Sequence, residues 1–431
     1  MAGWAWRRQL LGCEALCAQP AGDLVVAACI GGASIEAMTA AAGSTVWRRG
    51  PPLGSASVLS VALSPSNVDG GRLALGTELA QTYIWRAATA EPLAHFALTP
   101  SAEPPLRSAP TRRISRVGGM ASEAQWVELV QWSGDGLRIA VAAGRDVAIA
   151  MLSGEMVAQQ RAGSTVYALD FPSHATDASA TTSDGGNNGS VHPAALAFGA
   201  YGGIGWVVER APSARHEPAL KIGATAVLSV SVSCDRYLLA AGCLDKRVRI
   251  FPLGETRHGA GACDWVGFEG AVVTLAWSGA GDWLAAMGGR TLLAVRRDLR
   301  SGEAPTLLCV ARGGAAAQPV MAVLCWGVAR SGRQVLMATE ALTCRTHLFD
   351  VTQAADCVPR RASPILTIDS PGGHCLEDSV VPRQPWLACV SMGCAGNGDG
   401  REDGSWPFDP QFKLLVSDGQ TIGASMLNVW T

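Results

Sequence analysis

Residues 240–251 read AAGCLDKRVRIF. A short apolar run, Ala240 to Gly242, leads into a polar turn around Leu244, Asp245 and Lys246. The residues after it alternate between apolar and charged, as in Val248, Arg249 and Ile250. The alternation predicts a strand over 248–251 with one face wetted, and the turn residues predict a tight reversal. The Asp245 carboxylate is expected to accept backbone N–H bonds in that turn. Just upstream, VLSVSVSCDRYLLAAG adds an apolar strand ending at Val232, a Ser-Cys-Asp turn and a second strand over 237–241.

The same unit recurs. WVELVQWSGDGLRIAVAAGRDVAIAML predicts strands over 127–132, 137–142 and 147–152. AVVTLAWSGAGDWLAAMGGRTLLAVRR predicts strands over 272–277, 283–287 and 291–295. Looser copies cover 58–85, 165–209 and 320–350, and weaker ones lie at the two ends of the chain. Eight first-strand anchors can be placed, near Ala18, Leu63, Trp132, Phe171, Val232, Trp277, Trp326 and Val390. The first two strands of each unit are nearly continuous Val, Leu and Ala, which means burial on both faces. A lone meander cannot bury both. A ring of meanders can, and it shortens the exposed edges.

With 431 residues, 48% hydrophobic and 16% charged, the chain is globular and apolar. A formal net charge of -2 disfavours nucleic acid as a partner. No apolar run is long enough to span a bilayer as a helix, and the first residues lack an apolar signal core, so neither membrane nor secretion is expected. The 13 cysteines lie mostly within apolar runs and are expected as buried, reduced thiols of an intracellular, cytoplasmic protein. The spacing of Cys13/Cys17 and Cys389/Cys394 makes no zinc framework.

The units resemble WD40 repeats, through SGDG at Ser133 to Gly136 and GCLDKRVRIF at Gly242 to Phe251. The order of units along the chain resembles a divergent WD40 group of bacteria and plants, some of whose members occur beside CobW-type metal-handling GTPases. The Trp-Asp ending is replaced by YIWR, RIFP and HLFD, and the opening Gly-His pair is missing. The WD40 hydrogen-bond network is therefore not expected as the general brace, and apolar packing must carry more. The resemblance implies an all-β, WD40-like β-propeller, a single domain over 1–431. Eight blades are expected, with seven as the alternative. The otherwise unused segment 4–11 is expected to close the ring as the fourth strand of the last blade.

Three low-complexity insertions fall where blade loops belong, at 99–122, 173–191 and 393–409. In the first, Arg112, Arg113 and Arg116 surround Ser115, a layout that basophilic kinases read, and the same arginines could hold an acidic partner or an RNA phosphate. NGDGREDG, from Asn397, lacks the alternating ligands and the closing Glu of a calcium loop. The seven histidines show no ligand spacing, and no Ser or Cys sits in a nucleophile elbow. No catalytic, cofactor or metal residue is therefore assigned. Trp126, Trp132, Trp277, Trp283 and Trp326 are expected between blades. Tyr201 and Trp206, beside Gly202 and Gly203, are candidate surface anchors. The expected function is a non-catalytic scaffold for protein partners, a monomeric propeller within an assembly. The alternatives are an RNA-associated scaffold and a metal-dependent propeller enzyme.

Overall fold

The computed structural model describes residues 4–9, 13–18, 23–29, 34–50, 57–65, 71–98, 126–171, 196–207, 220–233, 238–253, 263–278, 281–296, 306–308, 320–328, 334–351, 361–371, 386–392, 411–417 and 421–426. The insertions at 99–122, 173–191 and 393–409, and with them Arg112, Arg113, Ser115 and Arg116, lie outside these residues.

The described elements are strands, almost without exception. β1 is Trp4–Gln9. β2 to β5 are Cys13–Ala18, Leu24–Cys29, Ile35–Thr39 and Thr45–Arg49. β6 to β9 are Val58–Leu63, Arg72–Thr77, Gln81–Arg86 and Glu91–Ala97. β10 to β13 are Val127–Trp132, Arg138–Ala143, Asp146–Met151 and Met156–Arg161. Each of these three sets of four is one antiparallel sheet in sequence order. β14 to β19 are Val166–Asp170, Leu196–Val207, Leu220–Val232, Leu238–Cys243, Val248–Pro252 and Cys263–Trp265, joined in one sheet. β20 to β23 are Val272–Trp277, Trp283–Gly288, Thr291–Arg296 and Thr306–Leu308. β24 to β26 are Met321–Val328, Gln334–Glu340 and Thr346–Asp350, and β28, Leu366–Ile368, completes their sheet. Between them β27, Arg361–Ala362, reaches back and adds a parallel fifth strand to β23. β29 to β31 are Trp386–Met392, Gln411–Ser417 and Thr421–Met426.

This is an all-β, WD40-like propeller arrangement. Six sheets are separate blades of four or five strands, a correction to the eight, or seven, separate blades expected from the repeats. The difference lies in β14–β19. Gly202 and Gly223 take φ of 90° and 103°, and at these bends β15 and β16 change direction, their shared ladder shifting register between Tyr201 and Gly203. A Cβ added to Gly205 would fall 2.0 Å from the Phe198 ring. Residues seven apart on a straight strand lie roughly 23 Å apart, so β15 folds back on itself at Gly202. β16 pairs with β15 through Leu220 and Lys221 and with β17 from Val227 onward. Two successive units thus share one sheet.

The first strands of seven units carry the same irregularity, which β29 lacks. Each ladder skips one residue, between Cys13/Ala15, Val58/Ser60, Val127/Leu129, Val166/Ala168, Val227/Ser229, Val272/Thr274 and Met321/Val323. These are β-bulges, which turn the skipped side chain out of the pleat.

Packing between units is apolar. Ala74 and Ile84 meet Val127, Ile139 and Val141, and Ala240 and Ile250 meet Val272, Leu275 and Leu284. Polar bonds reinforce it. The indole N–H groups of Trp132, Trp277 and Trp326 donate to the carbonyls of Ala62, Ser231 and Ala276, at 2.9, 3.1 and 2.9 Å. Each acceptor lies on the first strand of the preceding unit. Each such bond is worth about 1 kcal/mol net. The Ser60 hydroxyl donates to the Val127 carbonyl at 3.0 Å, and Ser229 to that of Val272 at 3.4 Å. The approach needs Gly76 opposite Ser60, since a Cβ there would stand 2.9 Å from the Val127 oxygen.

β1 pairs antiparallel with β31, Trp4 with Ser425 through Gln9 with Thr421. Its arginines reach sideways. Arg7 donates to the Pro371 carbonyl at 3.4 Å and Arg8 to that of Gly43 at 2.8 Å. Arg8 also pairs with Glu36, a carboxylate 2% exposed that Arg48 binds at 2.9 Å.

Candidate functional site

In an antiparallel meander the start of the first strand and the turn between the second and third strands share one end, here the upper end. Side chains there have no partner strand above them. Thirteen large apolar side chains are exposed among the described residues, and nine stand at this end. Trp126, Tyr167, Val273 and Val320 mark strand starts, at 49, 43, 50 and 41% exposure. Leu79, Tyr201, Leu244 and Leu342 stand on the second-to-third strand turns, Leu342 at 80%. Val266 joins them just ahead of β20. Tyr167 and Val273 are bulge residues, so the irregular ladder is what sends them outward. Trp126 was expected between blades; it is exposed because it precedes the first ladder pair of β10.

Tyr201 is 55% exposed and pairs with Ala226, whose carbonyl accepts the Leu244 N–H at 2.9 Å. Its own N–H donates to the Ser164 hydroxyl at 2.8 Å. Tyr201 and Leu244 are thus held at one level by backbone bonds. Trp206, the companion candidate, is half-buried against the cluster of Ala197, Ile204, Val230 and Leu239. The structure therefore separates the pair.

On the turn of the opening stretch, Lys246 has φ 66°. Asp245 takes its main bonds from Arg249, whose two terminal nitrogens donate at 3.0 and 2.6 Å. That fork, above all, holds the Asp245 carboxyl below the ordinary carboxylate range, helped by the Arg247 backbone N–H. The expected backbone bond is present but secondary. Next to it, burial pushes the Cys243 thiol up to about 11, as expected of a reduced core cysteine.

The lower end of the inner strands is polar and carries cross-strand hydrogen bonds. Asp170, on β14, accepts the Val232 N–H at 2.6 Å and the Gln131 side-chain N–H at 3.1 Å. One carboxylate thereby ties β10, β14 and β16. Asp170 is half-buried. Burial pushes its carboxyl up to about 7, against the lowering effect of both hydrogen bonds. Sequence reading missed this node, whose partners lie on three different units.

Among the described residues, no group of three or more His, Cys, Asp or Glu side chains is arranged to hold a metal ion. No described helix is long and apolar enough to cross a membrane.

No protein-family model and no curated protein matches the sequence. Solved structures do. The C-terminal WD40 domain of Sif2 matches with a TM-score of 0.59 at 13% identity, over 99% of this chain and 98% of that one. The computationally designed Ika8 protein matches with a TM-score of 0.57 at 11% identity, over 97% and 98%. Both likenesses concern the fold.

Proposed function

We propose that this chain is a non-catalytic scaffold that receives partner proteins on the upper end of a WD40-like propeller. The observation that carries the reading is the one-sided placement of exposed apolar side chains, nine of thirteen at one end. Soluble surfaces rarely concentrate apolar groups without a use for them. Tyr201 and Trp126 are the anchors of this reading, since aromatic side chains dominate interface energetics. Arg112, Arg113 and Arg116 around Ser115 are a second proposed contact, supported by the sequence alone.

We further infer a closed ring in which β1 completes the last blade. Support comes from the β1–β31 ladder, the sideways bonds of Arg7 and Arg8, and the packing of both β24 and β2 against β29.

Site-specific photocrosslinking in cells tests the scaffold reading. A crosslinker at Tyr201 is expected to trap a defined protein partner, and one at Leu137, exposed at the lower end, is not. Trp126→Ser should abolish the Tyr201 adduct. Equal trapping from Leu137 would overturn the placement.

A further inference from the structure

The blade β24–β26 and β28 holds a charged cluster that the scaffold surface does not use. Cross-strand pairing sets His347 opposite Ala338 and Phe349 opposite Leu336. Leu336, Ala338 and Phe349 pack with Met287 and Leu292, so His347 and Glu340 lie on the side turned to β20–β23. His347 is 2% exposed and Glu340 7%. His347 Nε2 stands 2.6 Å from Glu340 Oε1, and Nδ1 2.9 Å from Thr367 Oγ1. The Thr343 hydroxyl donates to the other Glu340 oxygen.

Burial pushes the Glu340 carboxyl up. The hydrogen bonds from His347 and Thr343, with the charges of His347 and Arg345, outweigh it and hold the group below the ordinary carboxylate range. An ionised carboxylate at that distance needs a proton on Nε2, and Nδ1 shares a hydrogen bond with the Thr367 hydroxyl.

Beside this relay lies a cavity of about 480 Å³. Its apolar lining is Pro364, Ile365 and Leu366, and its polar lining is Glu340, Arg345, His347, Thr367 and Asp369. Arg345, also on the lining, has its Nε committed to Asp369 Oδ1 at 3.1 Å. The Asp369 side chain is 68% exposed and stands at the mouth. Glu340, Thr367 and Asp369 offer acceptor oxygens to the cavity, while the donors on its lining are Arg345 and His347, whose Nε2 is given to Glu340. A guest carboxylate would meet two carboxylates and a guanidinium whose Nε is already engaged by Asp369. A guest that only donates, carried on a methylene stem, matches the acceptor oxygens and the apolar side chains.

We propose that this cavity takes a basic side chain of a partner protein, its stem on Pro364, Ile365 and Leu366 and its charged head on Asp369 and the Thr367 oxygen. Leu342, on the turn between Glu340 and Arg345, stands ready for an apolar neighbour of that basic residue. The assignment rests on the scaffold reading and names the chemistry of the partner at one point of contact.

Saturation-transfer NMR on the full chain tests it with small probes. N-acetyl-arginine methylamide is expected to bind, its neutral citrulline counterpart about fivefold or more weaker, and the glutamate counterpart not at all. Asp369→Asn should weaken the arginine probe by about fivefold without moving Tm, because the side chain is exposed. Thr367→Val should weaken it as well. Equal binding of arginine and citrulline, a preference for glutamate, no binding, or an unchanged Asp369→Asn variant would overturn the assignment. The probes need no partner, so their failure leaves Tyr201 crosslinking unaffected, and failed crosslinking leaves the probe result standing.

Discussion

The two ends of the same inner strands are built in opposite ways. At the lower end Trp132, Trp277 and Trp326 give their indole N–H groups to the neighbouring strand, and Asp170 ties three strands together. At the upper end Trp126 and Tyr167 sit exposed, one before the ladder and one skipped by it. The chemistry is similar and the surroundings differ. The upper end has cross-unit bonds of its own, from Ser60 to Val127 and Ser229 to Val272, but its exposed aromatic rings take no part in them.

The sharpest trial of this contrast exchanges one tryptophan at each end. Trp277→Ala removes a buried ring and its bond to Ser231, and should cost about 3–5 kcal/mol, read as a drop in the denaturation midpoint. Trp126→Ala should stay within about 0.5 kcal/mol. Similar losses from the two would break the comparison.

Next in size is Glu36. Replacing it by Ala leaves Arg8 and Arg48 without their shared acceptor, and should cost about 1–3 kcal/mol. Faster proteolytic release of the β1 segment should accompany the loss, since that strand leans on the pair.

A pH series sharpens the account of the braced end. Asp170 has a folded-state pKa raised to about 7 from 3.8. A raised carboxylate favours the folded state below the unfolded value and loses that advantage as pH climbs through the folded one. Wild type should therefore lose stability relative to Asp170→Asn between about pH 4 and about pH 7, with no further change above. A difference flat across that window would show that the carboxyl is not held as described. The smallest effect belongs to Asp245→Ala, which breaks a partly exposed fork and should cost about 0.5 kcal/mol by chemical denaturation.

Strand positions were legible because burial on two faces writes long apolar runs. The strands expected at 127–132 and 272–277 are Val127–Trp132 and Val272–Trp277, and 4–11 pairs as Trp4–Gln9. The separate blades were miscounted because the bends at Gly202 and Gly223 fall inside continuous strands, where a polar turn would have ended them. The exposure of Tyr201 could be anticipated from the glycines after it. That of Trp126 could not, because nothing marks where the first ladder pair begins, nor that of Tyr167, because a bulge leaves no mark on apolar periodicity. The Asp170 and His347 clusters were hidden for a further reason: their members gain meaning only beside residues far away in the chain.

The bulge that recurs in the first strands has a bearing on how such a surface can change over time. A skipped residue belongs to no cross-strand pair, so its identity is released from the demands of the sheet. Positions 128, 167 and 273 already differ as acid, phenol and branched alkyl on equivalent backbones. They are interchangeable sockets, through which a lineage could rewrite what the molecule greets while inheriting its architecture intact.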